Sequence, residues 1–402
     1  MTTAPADGPG TAAPPGRRAE LDALRALVVV GLVFFHSALV FDTEDDFYVK
    51  NDGTVPLAVA AGPVVVWAMP LLFLIAGFGA RQSLRGRGPG GFAAERVRRL
   101  GVPLVLGLVV LVPFPQWLRA RAADPGYDES YLRFYPRFWE VGLDLADFPF
   151  VLDGEHFETG HLWFLVLLLT FALLVALPAA LLSRRWRDGA GRVAAAVESR
   201  PALVLLAAVP PALVSAVLGL EEQFGAWHRW AYLVFFCYGF VLGDRRIRAA
   251  VRRVAPTAAW LAVALFALSG PAFVLADDPF TDLTPLAIAG RACFGASGWC
   301  AVVAILGLLD RSRGAAGGPD RPAGRRPGRT GRVAAYLSPA VLPLYVLHQP
   351  VVVAVAYVVV GWELPGPLKY AVIVAGSLAL TVAAYDLLVR RTAPTRFLLG
   401  MR

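Results

Sequence analysis

The sequence predicts an all-α membrane protein: a polytopic bundle of about ten transmembrane helices with both termini cytoplasmic. Three observations predict it. The 402-residue chain is 57% hydrophobic and only 17% charged, with a mean hydropathy of +0.58, whereas soluble domains are nearer half apolar and a quarter charged. Apolar runs of membrane-spanning length recur along the whole chain. The short loops between them alternate between arginine-rich and acidic, which is how orientation is encoded in membranes.

Taken in order, residues 1–19 are Ala/Pro/Gly-rich and read as a disordered cytoplasmic tail. The first run, 21–41 (LDALRALVVVGLVFFHSALVF), is too long for a signal-peptide core and lacks a small-residue cleavage site, so it is expected to remain as a helix. The acidic loop DTEDDFYVKNDG follows, then a second run at 56–79, then Arg81, Arg85, Arg87, Arg96, Arg98 and Arg99. The third run, 100–117, carries Pro113 and Pro115, which bend or end a helix. Segment 118–160 combines aromatics, acids and prolines and is expected to form a cap over an outward cavity. Runs at 161–182, 201–220, 229–243, 256–276, 284–308, 335–360 and 367–389 complete the ten. Arginine clusters follow the fourth, sixth, eighth and last runs, while EEQFGAW, DDPFTDL and GWELPGP are short and acidic or nearly neutral. Only an even number of spans fits this alternation, and it puts every arginine cluster inside. Trp117, Trp163, Trp227, Trp230 and Trp362 fall near the predicted outer boundary, as an aromatic belt would. The domain reading is one membrane unit over 20–392, with a flexible Gly/Pro/Arg-rich loop at 310–332 and a cytoplasmic tail at 393–402.

The net charge of +8 does not call for nucleic acid, because the arginines sit in short loops beside apolar runs. Cys237, Cys293 and Cys300 lie within apolar segments and give neither a disulfide framework nor zinc spacing. No phosphate loop, dinucleotide fingerprint or nucleophile elbow is present, so no metal or prosthetic group is expected. The lipid bilayer of the cell membrane is the expected surrounding, and a homo-oligomer is compatible with the composition.

Charge inside the first run is the strongest functional signal. Burying an arginine or aspartate at mid-bilayer costs about 2.5–3.5 kcal/mol, so such residues are rare and functional. Arg25 and His36 are eleven residues apart, which at ~100° per residue returns them to one face, roughly 16 Å apart along the axis. A cation below a titratable imidazole suits a path from an anionic ligand to a proton-transfer centre. His348 lies mid-span in LPLYVLHQPVVV with Tyr345 one turn below it, and Pro350 loosens the local backbone, which is tolerated where a cavity is lined. Arg96 and Arg99 are spaced i, i+3 at the inner end of the third run. They read either as topology determinants or as bidentate phosphate ligands. His161 and Trp163, in GHLWFL, read either as interfacial anchors or as part of an acceptor site.

Together these residues resemble the integral-membrane acyltransferase family 3. The carrying motifs are Arg25-(ten residues)-His36, MPLLFLIAGF, Arg96-x-x-Arg99 in ERVRRLGVP, GHLWFL and LPLYVLHQP, over nearly all of the chain from Glu20 to about Arg390. GHLWFL and LYVLHQP look most like the branch containing the glucan-biosynthesis protein C succinyltransferase. The resemblance implies transfer of an acyl group, acetyl or succinyl, from cytoplasmic acyl-CoA as co-substrate to a hydroxyl of an extracytoplasmic glycan, glycolipid or secreted metabolite. It implies His36 as the catalytic imidazole, Arg25 as a group positioning the donor, and Arg96 and Arg99 at the phosphates of coenzyme A. His348, Tyr345, His161 and Trp163 become cavity-lining, substrate-side candidates. No fused extracytoplasmic hydrolase-like domain is expected. The alternative is a transporter or flippase for a polar or anionic solute, a class that also buries ionisable groups. No inverted repeat or matched pair of broken spans is visible. A membrane scaffold would have no use for Arg25 and His36 on one face.

Overall fold

A computed structural model of the chain describes residues 19–43, 46–55, 58–181, 183–316 and 329–401. Residues 1–18 of the expected 1–19 tail, Glu44 and Asp45 of the first acidic loop, and the middle of the expected 310–332 loop lie outside the described residues.

Each of the ten apolar runs falls on helix. The first run forms α1 (Ala19–Leu39) and the second forms α2 (Ala58–Arg96), which breaks at Gly88, with φ 70° and ψ 174°, just before Pro89. The third run is helical throughout, as a π turn (Val97–Gly101), α3 (Val102–Leu106), a second π turn (Gly107–Leu111) and α4 (Pro113–Ala123). The prolines bend this path without ending it. Pro113 has no N–H and would crowd the carbonyl four residues back, and the chain widens just before it, with Val112 N–H donating to Gly107 O at 2.9 Å.

The outward segment contains α5 (Tyr131–Phe138) and a hairpin of β1 (Gly142–Leu143) and β2 (Leu152–Asp153), with Gly142 opposite Asp153 and Leu143 opposite Leu152. Next come α6 (Trp163–Leu181), α7 (Ser183–Ser199), α8 (Leu203–Leu206), α9 (Val209–Leu218) and α10 (Arg229–Leu242). The chain continues with α11 (Arg245–Leu275), α12 (Pro285–Ala316), α13 (Arg329–Val359), α14 (Gly366–Ala384) and α15 (Ala393–Leu398).

Among the described residues six helical stretches are long and apolar enough to cross a membrane: Glu20–Leu39, Ala61–Ala123, Arg245–Leu275, Pro285–Ser312, Tyr336–Val359 and Gly366–Val389. The count is lower than ten for local reasons. Ala61–Ala123 joins the second and third runs, Gly160–Ala176 and Leu203–Leu218 are shorter apolar helices, and α10 has only 14 residues. The all-α, multi-pass class holds.

Two expected non-helical segments are partly helical. α12 and α13 run into the 310–332 loop from both sides, to Ala316 and from Arg329. The expected tail at 393–402 forms α15, started by Thr392, whose hydroxyl accepts from the Thr395 amide. Beyond it, a Cβ on Gly400 (φ +69°) would overlap the Arg99 carbonyl.

The aromatic core lies where α2, α6 and α10 meet. Phe73, Phe171, Tyr232 and Phe236 are fully buried there, with Phe73 and Tyr232 stacked at 4.5 Å between centroids. Close approach needs glycine: a Cβ on Gly77 would overlap the Phe236 carbonyl, and one on Gly239 would overlap the Leu74 carbonyl.

The predicted charge alternation becomes a spatial separation. At one end Glu20, Arg248 and Asp310 border one small pocket. Arg311 there donates to the Arg252 carbonyl at 2.7 Å, and Arg81 donates to the Phe240 carbonyl at 2.6 Å. At the opposite end Asp46, Asp144, Asp147, Asp153, Glu158 and Glu222 surround one mouth, with Arg119 among them.

Candidate active site

The site begins with how α1 ends. The last carbonyls of a helix need donors from outside it. Lys50 supplies them, its Nζ reaching Leu39 O at 3.0 Å and Asp42 O at 2.8 Å. Asn51 N–H donates to Val40 O at 2.9 Å and Val55 N–H to Phe41 O at 2.8 Å. The 42–55 loop is thereby folded back over the helix end, and buried Phe47 stacks on the His36 ring at 6.0 Å.

A second device acts on α13. Pro350 has no N–H, so the carbonyl of Val346, four residues earlier, has no helical donor. His161 fills the gap, with Nε2 at 3.0 Å from Val346 O. A carbonyl only accepts, so His161 carries its proton on Nε2. By the same logic the Nδ1 of His348, 2.5 Å from Tyr345 O, carries a proton. The Tyr345 hydroxyl donates to the His161 carbonyl. Gly160, at φ +48°, turns the chain into this corner, where any Cβ would press on the Tyr48 hydroxyl.

Three imidazoles are thus brought together. His348 lies 5.2 Å from His36 and 5.1 Å from His161, centroid to centroid. His36 and His161 open on a cavity of about 1080 Å³. One stripe of α1 (Val28, Leu32, Phe35, His36) faces α2 residues Trp67 and Met69 across it, and His161, Trp163, Tyr345 and Gln349 close one side. Its mouth is at the acidic end. There Arg119 donates to the Asp46 backbone carbonyl, lies 3.8 Å from Glu158 and stacks over the Tyr48 ring at 4.9 Å. Tyr48 also hydrogen-bonds Glu158. Surrounding protein pushes the Glu158 carboxyl above the usual carboxylate range, and the Tyr48 hydroxyl and Arg119 oppose that rise. Buried Arg229 pins the far rim, donating to Glu221 Oε1 at 2.8 Å and to Asp147 O at 2.8 Å, with Phe224 beneath it at 5.0 Å.

The placements of the sequence-predicted residues differ. His36, His161, Trp163 and Tyr345 line the cavity. His161 and Trp163 are not anchors at a lipid boundary: His161 is buried, and Trp163 stacks on Tyr232 at 5.5 Å. His348 does not line the cavity. It is fully buried behind His36 and Tyr345. Arg25 also stays off the cavity wall. It sits one turn below Val28, donates to Ile75 O of α2 at 2.9 Å and lies 3.5 Å from Asp22, so it ties α1 to α2 beneath the cavity rather than sharing an open tunnel with His36. Arg96 and Arg99 remain apart from the histidines. Both approach buried Glu95, at 3.3 and 3.8 Å, and Arg96 also lies over Phe92 at 5.1 Å.

Phe47 and Gln349 were not singled out from sequence, and Glu158, which reads from sequence as part of a solvated acidic face, is instead engaged by Tyr48 and Arg119. Pro350 was the available signal for Gln349, because a helix opened by proline exposes its neighbours. Among the described residues no group of three side chains is placed to hold a metal ion.

Comparison with known proteins agrees with the resemblance at the level of the family. No curated protein and no solved structure matches the chain. The family model described as an acyltransferase domain matches residues 18–386, nearly the whole chain. The chain therefore belongs to acyltransferase family 3.

Proposed function

We propose that the protein is an acyl-CoA-dependent O-acyltransferase of the cell membrane, with its arginine-rich end in the cytoplasm and its cavity mouth outside. The observation that carries this reading is the position of His36: an imidazole on the wall of a cavity of about 1080 Å³ that opens at the acidic end, with Arg25 about three turns below it on α1 toward the arginine-rich end. Inner basic and outer acidic loops fit that orientation. The family match favours covalent transfer over carriage of a solute.

In the reaction, an acceptor hydroxyl enters from the mouth and attacks the thioester carbonyl of the donor. His36 takes the hydroxyl proton as the C–O bond forms. The C–S bond breaks, coenzyme A leaves as the thiolate, and the proton on His36 passes to that sulfur. A two-step route has the same balance: His36 attacks the thioester, coenzyme A leaves, and the acceptor hydroxyl then displaces the imidazole. In this reading Arg25 meets the donor from the inner side, and the guanidinium groups of Arg96 and Arg99 bind its phosphates.

The mouth favours a particular acceptor. Six carboxylates and one arginine line it, and that arginine is engaged by Asp46 and Glu158. Aromatic rings form much of the wall below. A neutral or cationic polyhydroxyl acceptor suits this lining better than a phosphate or carboxylate. Acetyl and succinyl are the two donor groups considered, and the glucan-biosynthesis-like motifs favour succinyl.

The test replaces His36 by Asn in the full chain and follows release of free thiol from acetyl-CoA and succinyl-CoA with methyl glucoside as hydroxyl probe. Transfer is expected to drop by about 10²–10⁴-fold with the melting temperature of the purified protein held. Retained transfer would remove His36 from its assigned role.

A further inference from the structure

Two atoms at the centre of the site are buried without a hydrogen-bond partner: Nδ1 of His36 and Nε2 of His348. A buried polar atom left unpaired costs about 1–3 kcal/mol, so two of them side by side call for an explanation. The proton inventory supplies one. His348 has its proton on Nδ1, committed to the Tyr345 carbonyl, so its Nε2 is a bare acceptor. His161 has its proton on Nε2, committed to the Val346 carbonyl. Among the three rings only His36 has no proton committed to the backbone. Its ring centroid is 5.2 Å from that of His348, a separation that admits a hydrogen bond between ring nitrogens, and χ2 of histidine is a soft torsion.

We propose that His348 is a positioning residue: its Nε2 accepts the Nδ1–H of His36 and holds the His36 ring with a bare Nε2 turned to the cavity. The assignment rests on the reading of His36 as the transfer base. It explains why a second histidine lies wholly behind the first, out of reach of any substrate. It also adds transition-state stabilisation. When His36 Nε2 takes the acceptor proton the ring becomes an imidazolium, and its Nδ1–H bond to His348 becomes charge-assisted, roughly twice as strong as the neutral one. The chain of roles is then Tyr345 carbonyl, His348, His36, acceptor hydroxyl. Pro350 belongs to the same unit, because the carbonyl it releases anchors His161 against the other face of His348.

Two amide substitutions separate this role from packing. In His348→Asn the side chain keeps a donor for the Tyr345 carbonyl but ends short of the Nε2 position. In His348→Gln it reaches that position with an acceptor oxygen. The first measurement needs no substrate: nitrogen-15 spectra of the purified full chain labelled at histidine, with the His36 signals assigned by their loss in His36→Asn. The proposal expects His36 protonated on Nδ1 in the wild type and in His348→Gln, and that preference lost in His348→Asn. A His36 protonated on Nε2 in the wild type, or one indifferent to His348→Asn, overturns it.

The second measurement is turnover of acetyl-CoA and succinyl-CoA with methyl glucoside. It expects kcat down about 100-fold in His348→Asn and within about tenfold of wild type in His348→Gln, with KM little changed. Equal losses in the two variants, or a loss carried by KM, speak for packing and against the proposal. A wild type that consumes neither donor counts against the acyl-CoA reading alone, because the spectra still decide the role of His348.

Discussion

His161 donates its Nε2–H to the carbonyl of Val346 at 3.0 Å, and Val346 has that carbonyl to offer because Pro350 has no N–H to give it. A proline that weakens one helix thus fixes the ring orientation and tautomer of a histidine on another. The cavity wall is built at the point where the two elements exchange this bond.

Pro350→Ala tests the exchange. The new amide competes for Val346 O, restoring the helix while releasing His161. Thermal stability is expected to hold or rise, while turnover falls about tenfold, the effect of about 1.4 kcal/mol of lost positioning. Parallel melting and turnover measurements check it, and unchanged turnover would show that the His161 anchor does not matter to the reaction.

Arg99 tests the donor side. Its guanidinium is partly exposed and lies 3.8 Å from Glu95. Arg99→Gln should raise KM for acyl-CoA by about tenfold, within the span of one charge-assisted hydrogen bond, and leave kcat nearly unchanged. Arg99→Lys should recover part of the loss, because a point charge replaces a fork. Steady-state kinetics over a donor series decides this, and an unmoved KM would reduce Arg99 to an orientation signal.

Glu158 gives a pH dependence of stability. Protein around the carboxyl raises its folded value above the unfolded one. Between those two values the folded state holds more protons than the unfolded state, so stability falls as pH rises through that window. Glu158→Gln keeps a neutral, hydrogen-bonding side chain toward Tyr48 and Arg119 and should flatten this part of the profile. Melting temperatures across mildly acidic to neutral pH provide the check, and an identical slope in the variant would mean that Glu158 is not the group responsible.

The helical framework was legible because membrane spans announce themselves by length and apolarity, and the charge alternation of the loops reappears as two oppositely charged ends. His36 was legible because a charged or titratable residue in an apolar helix is costly. The corner around it was not. The His161–Val346 bond joins residues 185 apart in sequence, and nothing in GHLWFL or LPLYVLHQP specifies that pairing. Arg25 shared the face of His36 on a helical wheel, yet its long side chain reaches sideways to Ile75 O, a displacement that residue spacing does not encode. α15 was missed because 393–402 is too short to span a membrane, although Thr392 followed by Pro394 is a helix-start signal that was there to be read.

The mutual insertion of Gly77 and Gly239 has a mechanical consequence. With main chain pressed against main chain, the seam between α2 and α10 has no clearance for one helix to slide along the other, since even a methyl group would jam it. The wall facing His36 is therefore stationary masonry, and on the proposed reading an acyl group must thread past it as a moving part in its own right.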